Sequence, residues 1–375
     1  MQQQVNLIAT AAMGLESVVA SEVKKLGYEV AVENGKVQFK APVSAIPRCN
    51  LWLRTADRVR LLVGEFAATT FDELFEKTKA LPWEDFITED GKFPVAGKSF
   101  KSVLHSVPDC QAIVKKAIAE RLKLKYGLAT NMPETGAPYK IEIAIHKDTA
   151  TLTIDTSGTG LHKRGYRVGQ GEAPLKETMA AALVKLTNWY PDKPFIDPFC
   201  GSGTIPIEAA LIGQNIAPGF NREFACEQWG FINQNDWVRA FEEAEDLANY
   251  DQKLDITGSD IDHNMVKISK DNATEAGLGD LISWKQMQVK DLFIRKKDGY
   301  LVGNPPYGQR IGDKDSIARI YKDLGMVMNS HPSWSVYILT AFEDFEKHYG
   351  KKATKKRKLF NGFIRTDYYQ YFASR

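Results

Sequence analysis

Two stretches of this 375-residue chain carry residue types at spacings that could do chemistry. The first is Phe195-Ile-Asp-Pro-Phe-Cys-Gly-Ser-Gly-Thr204. Its apolar start reads as a short buried strand with Asp197 at the end. Gly201 and Gly203 then form a tight turn into an apolar helix that carries Pro206 in its first turn, where a missing N–H costs nothing. A strand, a glycine turn and a helix make the first βα unit of a doubly wound sheet, where nucleotide-like ligands bind. The dinucleotide fingerprint needs a third glycine at position 206, which is proline here. The backbone can approach a ligand, but the turn is not built around a pyrophosphate. Nicotinamide and flavin dinucleotides are disfavoured. An adenosine-containing ligand without phosphates fits better, and S-adenosylmethionine is the common one.

The second stretch is a buried-strand pattern, Gly299-Tyr-Leu-Val-Gly303, running into Asn304-Pro305-Pro306-Tyr307. The exocyclic nitrogen of a nucleobase is a poor nucleophile, because its lone pair is delocalised into the ring. Two acceptors aimed at its hydrogens, the Asn304 side-chain oxygen and the Pro305 carbonyl, favour a pyramidal, attacking geometry. Pro305 and Pro306 fix φ and keep those acceptors pre-organised. Tyr307 offers a ring face to a base swung out of its stack. This chemistry needs positioning and a sulfonium methyl donor; it needs no histidine, metal or covalent nucleophile.

The donor is a cation, and carboxylates suit it. Asp197 is one. Asp260 ends the strand-like Leu254–Asp262, where a doubly wound fold holds ribose hydroxyls. Asp262 is its near rival, or caps the helix that follows. Asp291 lies just past a strand expected over Ser283–Val289, placed to meet an adenine amino group or to cap a helix. Phe199, Thr204 and Ile261 complete the candidate cofactor set with Gly201, Gly203 and Asn304.

These residues need a scaffold, and the chain is long enough for more than one domain. Residues 1–65 read in the order β-α-β-β-α-β, with Asn34-Gly35 as a hairpin turn, which suggests a small ferredoxin-like α+β module. Residues 66–156 form a second α+β unit: a helix over Phe71–Leu81, a strand over Ser99–Val107, a helix over Gln111–Tyr126 and a closing hairpin. Residues 157–172 are a glycine-rich basic linker, and 173–375 form the doubly wound α/β domain. Gly213–Asp251 lengthens the gap between the glycine turn and Asp260, and reads as an insertion near the ligand mouth.

Cys49, Cys110, Cys200 and Cys226 are scattered, with no C-x-x-C pair, so neither zinc nor a disulfide framework is indicated. No apolar run approaches membrane-spanning length, and the N-terminus lacks a signal-peptide pattern, so a cytoplasmic protein is expected. The net charge of +2 leaves nucleic-acid contact to local basic patches. Lys115, Lys116 and Lys123 share one helix; Arg164 and Arg167 stand in the linker; Lys355, Lys356 and Arg357 belong to the run Lys351–Lys358. Each patch is a phosphate-binding candidate or a solvated surface.

Asp197–Thr204 and Asn304–Tyr307 resemble motifs I and IV of class I methyltransferases acting on amino groups. With Leu161–Arg167, Ala217–Arg222 and Asn304–Gly312, the chain resembles the THUMP-domain RNA methyltransferases over nearly its whole length. Within them it is most similar to the N-terminal guanine-N2 methyltransferase half of ribosomal RNA large subunit methyltransferase L. The resemblance implies a ferredoxin-like segment and a THUMP domain that bind RNA, and a Rossmann-like domain that methylates guanine N2 in large-subunit (23S) ribosomal RNA from S-adenosylmethionine. Adenine N6, a transfer-RNA guanine, and a non-catalytic ribosome-assembly role are the rival readings.

Overall fold

The computed structural model describes residues 3–171, 174–307 and 314–374. The chain divides into two units. The first comprises residues 1–11, 19–161 and 223–243, and the second residues 12–18, 162–222 and 244–375.

In the first unit the alternating apolar pattern produces β1 (Gln4–Ala11), α1 (Glu16–Lys25), β2 (Val30–Glu33), β3 (Lys36–Pro42), α2 (Ala45–Trp52) and β4 (Ala56–Ala67). Gly35 turns the β2–β3 hairpin at φ +74°, a conformation glycine adopts without strain. Then follow α3 (Phe71–Lys79), β5 (Val95–Phe100), α4 (Val107–Tyr126), β6 (Ile141–His146) and β7 (Thr149–Asp155). Thr70 caps α3 by accepting from the Glu73 N–H at 3.2 Å.

The strand expected over Ser99–Val107 is displaced. The strand ends at Phe100, and Val107 already opens α4 with Pro108 in its first turn. Proline fits a helix start, and β6, the partner of β5, also ends there, at His146.

The two expected modules share one seven-stranded sheet, ordered β2-β3-β1-β4-β7-β6-β5. The twelve-residue β4 makes the junction: Ala56–Leu62 pairs with β1, while Arg60–Ala67 pairs with β7. The stretch 223–243, which lies in sequence inside the α/β half, packs here. Phe224, Trp229 and Trp237 join this core, and Trp229 stacks on Tyr139 with ring centroids 4.9 Å apart.

The second unit continues with α5 (Glu177–Lys185), β8 (Phe195–Asp197) and α6 (Thr204–Gly213), then α7 (Gln234–Leu247), whose first ten residues belong to the first unit. It proceeds through β9 (Ile256–Asp260), α8 (His263–Glu275), β10 (Ile282–Gln286), β11 (Tyr300–Gly303), α9 (Lys314–Asn329), β12 (Ser335–Thr340), α10 (Phe345–Tyr349), β13 (Lys355–Asn361) and β14 (Ile364–Tyr371). Its sheet runs β10-β9-β8-β11-β12-β14-β13. The first five strands are parallel, and β14 lies antiparallel to both neighbours. This is the class I methyltransferase arrangement. Strand order reverses between β8 and β11, and a doubly wound sheet opens its ligand crevice at the carboxyl ends of strands flanking that switch.

Candidate active site

A cavity of about 400 Å³ opens at that switch point. Such a volume suits a small cofactor. From β8 and its turn come Asp197, Phe199, Gly201 and Thr204; from β9, Asp260 and Ile261; from β11, Asn304 and Pro306. The two stretches that carried the chemistry in sequence therefore meet at one wall.

The glycine turn is built by conformation. Gly201 takes φ +51° with open space where a Cβ would point, and its N–H donates to Asp260 Oδ2 at 3.0 Å. Gly203 takes φ +84°, and a Cβ there would lie 2.8 Å from the Trp284 ring. It caps the start of α6 and is not part of the cavity wall. Asp260 Oδ1 accepts from the Asp262 N–H at 2.9 Å. A carboxylate has about four acceptor positions, so two remain for hydroxyls. Asp262 itself caps α8, accepting from Asn264 N–H at 2.8 Å, and does not line the cavity.

Asp197 is a buried acid with an unmet acceptor. Its Oδ1 accepts from the Phe199 N–H at 3.0 Å, while its buried Oδ2 has no hydrogen-bond partner. Burial pushes its carboxyl well above the usual range, and the charge of Asp260 adds to this. An unpartnered buried carboxylate oxygen in the wall of a cavity is what a cationic ligand would satisfy. Cys200 also lines the cavity, but burial pushes its thiol up, so it is held neutral and is no nucleophile.

The motif after β11 is pinned at two points. The Tyr307 hydroxyl donates to Asn304 Oδ1 at 2.5 Å and accepts from Asn361 Nδ2 at 3.3 Å. Asn361 can only donate through that nitrogen, so the tyrosine proton is left for Asn304. Burial pushes the Tyr307 hydroxyl up to about 12, which keeps it a donor at neutral pH. The Pro306 carbonyl accepts from the Tyr321 hydroxyl at 3.0 Å.

Four expectations change. Tyr307 does not line the cavity; its hydroxyl reaches Asn304 from outside the wall. Pro305 is buried outside the wall, and Pro306 lines it instead. Asp291 is exposed in a short 3-10 turn outside the lining, because β10 stops at Gln286 and the chain turns away; Met287, Gln288 and Lys290 line the cavity there. The insertion 213–251 contributes nothing to the wall. Asn361 was missed, since nothing in an isolated asparagine between strands marks it. Residues 308–313, which continue the third stretch of the resemblance, and Ala173 lie outside the described residues.

Among the basic candidates, two are engaged within the fold. Arg164, 3% exposed, pairs with the fully buried Glu208 at 3.3 Å, and Glu208 also accepts from the Tyr166 hydroxyl at 3.0 Å. Arg167 donates to Glu177, Ser202, Thr204 and the Leu175 carbonyl, tying the linker to the starts of α5 and α6. Both were expected at phosphates, but their charges are already spent inside the fold. On α4, Lys115 pairs with Glu134 at 2.8 Å; Lys116 lies exposed over the Phe75 ring, and Lys123 is half-buried. In the C-terminal run, Lys356 pairs with Glu346 at 2.6 Å, and Arg357 donates to the Gly14 carbonyl and Ser17. Lys351, Lys352, Lys355 and Lys358 are exposed. Among the described residues no cluster of side chains could hold a metal, and no helix is long and apolar enough to cross a membrane.

Residues 164–370 match the family profile of the RMKL-like methyltransferase domain. The chain belongs to this methyltransferase family. Residues 6–60 match the RlmL ferredoxin-like domain and 68–155 the THUMP domain. Among relatives of this RMKL-like chain, it is 64% identical to the Bacillus subtilis protein named "Putative RNA methyltransferase YpsC", over 98% of this chain and 96% of that one. It is 33% identical to the ribosomal RNA large subunit methyltransferase K/L of Syntrophotalea carbinolica, across 97% of this chain but 53% of that longer protein. Two solved structures superpose with a TM-score of 0.96. One, titled "SMU.472, a putative methyltransferase complexed with SAH", is 48% identical with full coverage of both chains. The other, from Listeria monocytogenes, carries the name of a "predicted N6-adenine-specific DNA methylase" and is 61% identical, covering 99% of this chain and 97% of that one.

Proposed function

We propose that this RMKL-like methyltransferase transfers a methyl group from S-adenosylmethionine to the exocyclic N2 of a guanine in 23S ribosomal RNA. The observation that carries the reading is the Asn304 carboxamide oxygen at the cavity wall, held by the Tyr307 hydroxyl beside the unpartnered Asp197 carboxylate. The wall fits the cofactor: Asp197 Oδ2 would take its cationic part, and Asp260, with two acceptor positions left, its ribose hydroxyls. When bound, S-adenosylmethionine supplies a sulfonium methyl.

Asn304 Oδ1 has one lone pair engaged by Tyr307 and one left to accept a hydrogen of the base amino group. That contact draws the nitrogen toward a pyramidal shape and frees its lone pair to form the new N–C bond as the C–S bond breaks. The displaced proton leaves to solvent. The THUMP and RlmL ferredoxin-like matches support RNA as the substrate, with the ribosomal assignment resting on the K/L relatives. The name of the Listeria relative favours a second reading, adenine N6, which the same acceptors would serve.

Isotope-labelled S-adenosylmethionine and RNA from a strain lacking the gene decide between them. Nucleoside mass spectrometry is expected to show labelled N2-methylguanosine in ribosomal RNA. Labelled N6-methyladenosine would replace guanine by adenine, and label in transfer RNA alone would remove the ribosomal assignment.

The RNA would be positioned by the exposed lysines of the C-terminal run, because Lys356 and Arg357 are engaged within the fold. The triple change Lys351→Gln, Lys352→Gln, Lys355→Gln is expected to lower the slope of log affinity against log salt by roughly 0.7–0.9 per lost phosphate contact. Arg357→Gln is expected to leave that slope unchanged. Salt titration of RNA affinity checks both, and an unaltered slope in the triple variant would return the run to a solvated surface.

A further inference from the structure

The β13–β14 hairpin holds a side chain that the fold itself does not use. Its register closes at Asn361↔Ile364, so Gly362 and Phe363 form a two-residue turn, with Gly362 at φ +63°. Phe363 is fully exposed, more so than any other large hydrophobic side chain among the described residues. Turn tips normally take small polar residues, and a benzyl group held in water gains nothing from the fold. The turn is anchored by buried Leu359, Thr366 and Tyr368 on its two strands.

Its position is set by a second, independent contact. Asn361, two residues before Phe363, donates to the Tyr307 hydroxyl, which in turn holds Asn304. The tip therefore stands beside the motif that would receive the target base. Its charge is cationic: Arg365 and Lys358 are both exposed on the same hairpin. An exposed aromatic ring on a hairpin with exposed cations, two residues from the contact to Tyr307, has the chemistry of a stacking platform for single-stranded nucleic acid.

We infer that Phe363 stacks on an unpaired nucleobase next to the target nucleotide, and that Arg365 and Lys358 contact the adjoining phosphates. The inference rests on RNA as substrate but not on which base is methylated. A strand that gives up one base to a cavity loses stacking on that base's neighbour, and a rigid ring at the rim restores it. Phe363 acts as a binding and positioning residue.

The test measures the affinity of the full-length protein for a fluorescein-labelled single-stranded RNA of about 15 nucleotides. Phe363→Ala and Phe363→Leu are expected to lower affinity roughly 10-fold, while Phe363→Trp retains or improves it. S-adenosylhomocysteine binding by calorimetry is expected to stay at the wild-type value in all three, because the tip is outside the cavity wall. An unchanged affinity in Phe363→Ala overturns the inference. So does full recovery in Phe363→Leu, which would mean a general apolar contact. Concentration-dependent self-association by light scattering that Phe363→Ala abolishes would assign the ring to a second copy of the chain. Because binding is read without methyl transfer, an adenine product leaves the expected result intact. A wild-type protein that fails to bind single-stranded RNA overturns the substrate class, and the inference with it.

Discussion

Asn304→Ala is expected to lower the methyl-transfer rate by about 100-fold or more while leaving cofactor affinity within about twofold. The reason is where the group acts. Asn304 Oδ1 would meet a hydrogen of the attacking nitrogen, an interaction that strengthens only as that nitrogen loses its conjugation. The cofactor would be held by other residues, chiefly Asp197 and Asp260. Losing a pre-organised contact of this kind costs roughly 2.7–4 kcal/mol of transition-state stabilisation.

The two residues behind Asn304 give graded outcomes. Tyr307→Phe removes the proton that orients the carboxamide and is expected to cost roughly 2- to 10-fold, since one hydrogen bond of that sort is worth roughly 0.5–1.5 kcal/mol. Asn361→Leu removes only the bond that orients the tyrosine, at 3.3 Å, and is expected to cost less than Tyr307→Phe. Single-turnover rates and calorimetric cofactor affinities separate chemistry from binding. Wild-type rates in Asn304→Ala would remove it from the mechanism and argue against amino-group methylation. A loss of cofactor affinity equal to the loss in rate would make it a cofactor ligand instead.

Glu208→Ala is expected to destabilise the second unit by roughly 3–5 kcal/mol, the cost of leaving one partner of a buried ion pair uncompensated. Glu208 is fully buried, and Arg164 and the Tyr166 hydroxyl both bond to it. For a unit of this size, each kcal/mol lowers the melting temperature by roughly 2–4 °C. The transition to follow is the one that S-adenosylhomocysteine raises, since ligand binding stabilises the unit that holds it. Replacing both partners, as in Arg164→Met with Glu208→Leu, is expected to recover most of the loss, because no isolated charge stays in the core. Arg164→Ala at wild-type stability, with a shallower salt dependence of RNA binding, would restore Arg164 as a phosphate contact.

Much of the site was legible in the sequence because its signals are local. A glycine turn between a short apolar strand and an apolar helix is dictated by φ and by the absence of side chains, and Gly201 and Gly203 have positive φ in the structure. An Asn-Pro-Pro-Tyr turn after a buried strand is equally local. The doubly wound class of the sheet follows from the alternation of strands and helices, while the strand order that brings Asp197, Asp260 and Asn304 to one cavity is seen only in the structure.

Tertiary structure decided what depends on partners far away in the chain. Whether a basic residue is free or engaged cannot be read from its neighbours: Arg164 and Lys355 both stand in basic runs, yet Glu208, 44 residues on, takes the first while the second remains exposed. The role of Tyr307 turned in the same way, since its hydroxyl is directed by Asn361, 54 residues later. The strand β4, long enough to pair on both sides, merged two expected modules into one sheet, and three aromatic residues of 223–243 left the α/β half for the core of the first unit. Backbone conformation is selected within a few residues, so the sequence alone determined the turns and the chemistry they present. Charge pairing and burial are selected by whatever the folded chain brings within a few ångströms, and only the tertiary structure decided those.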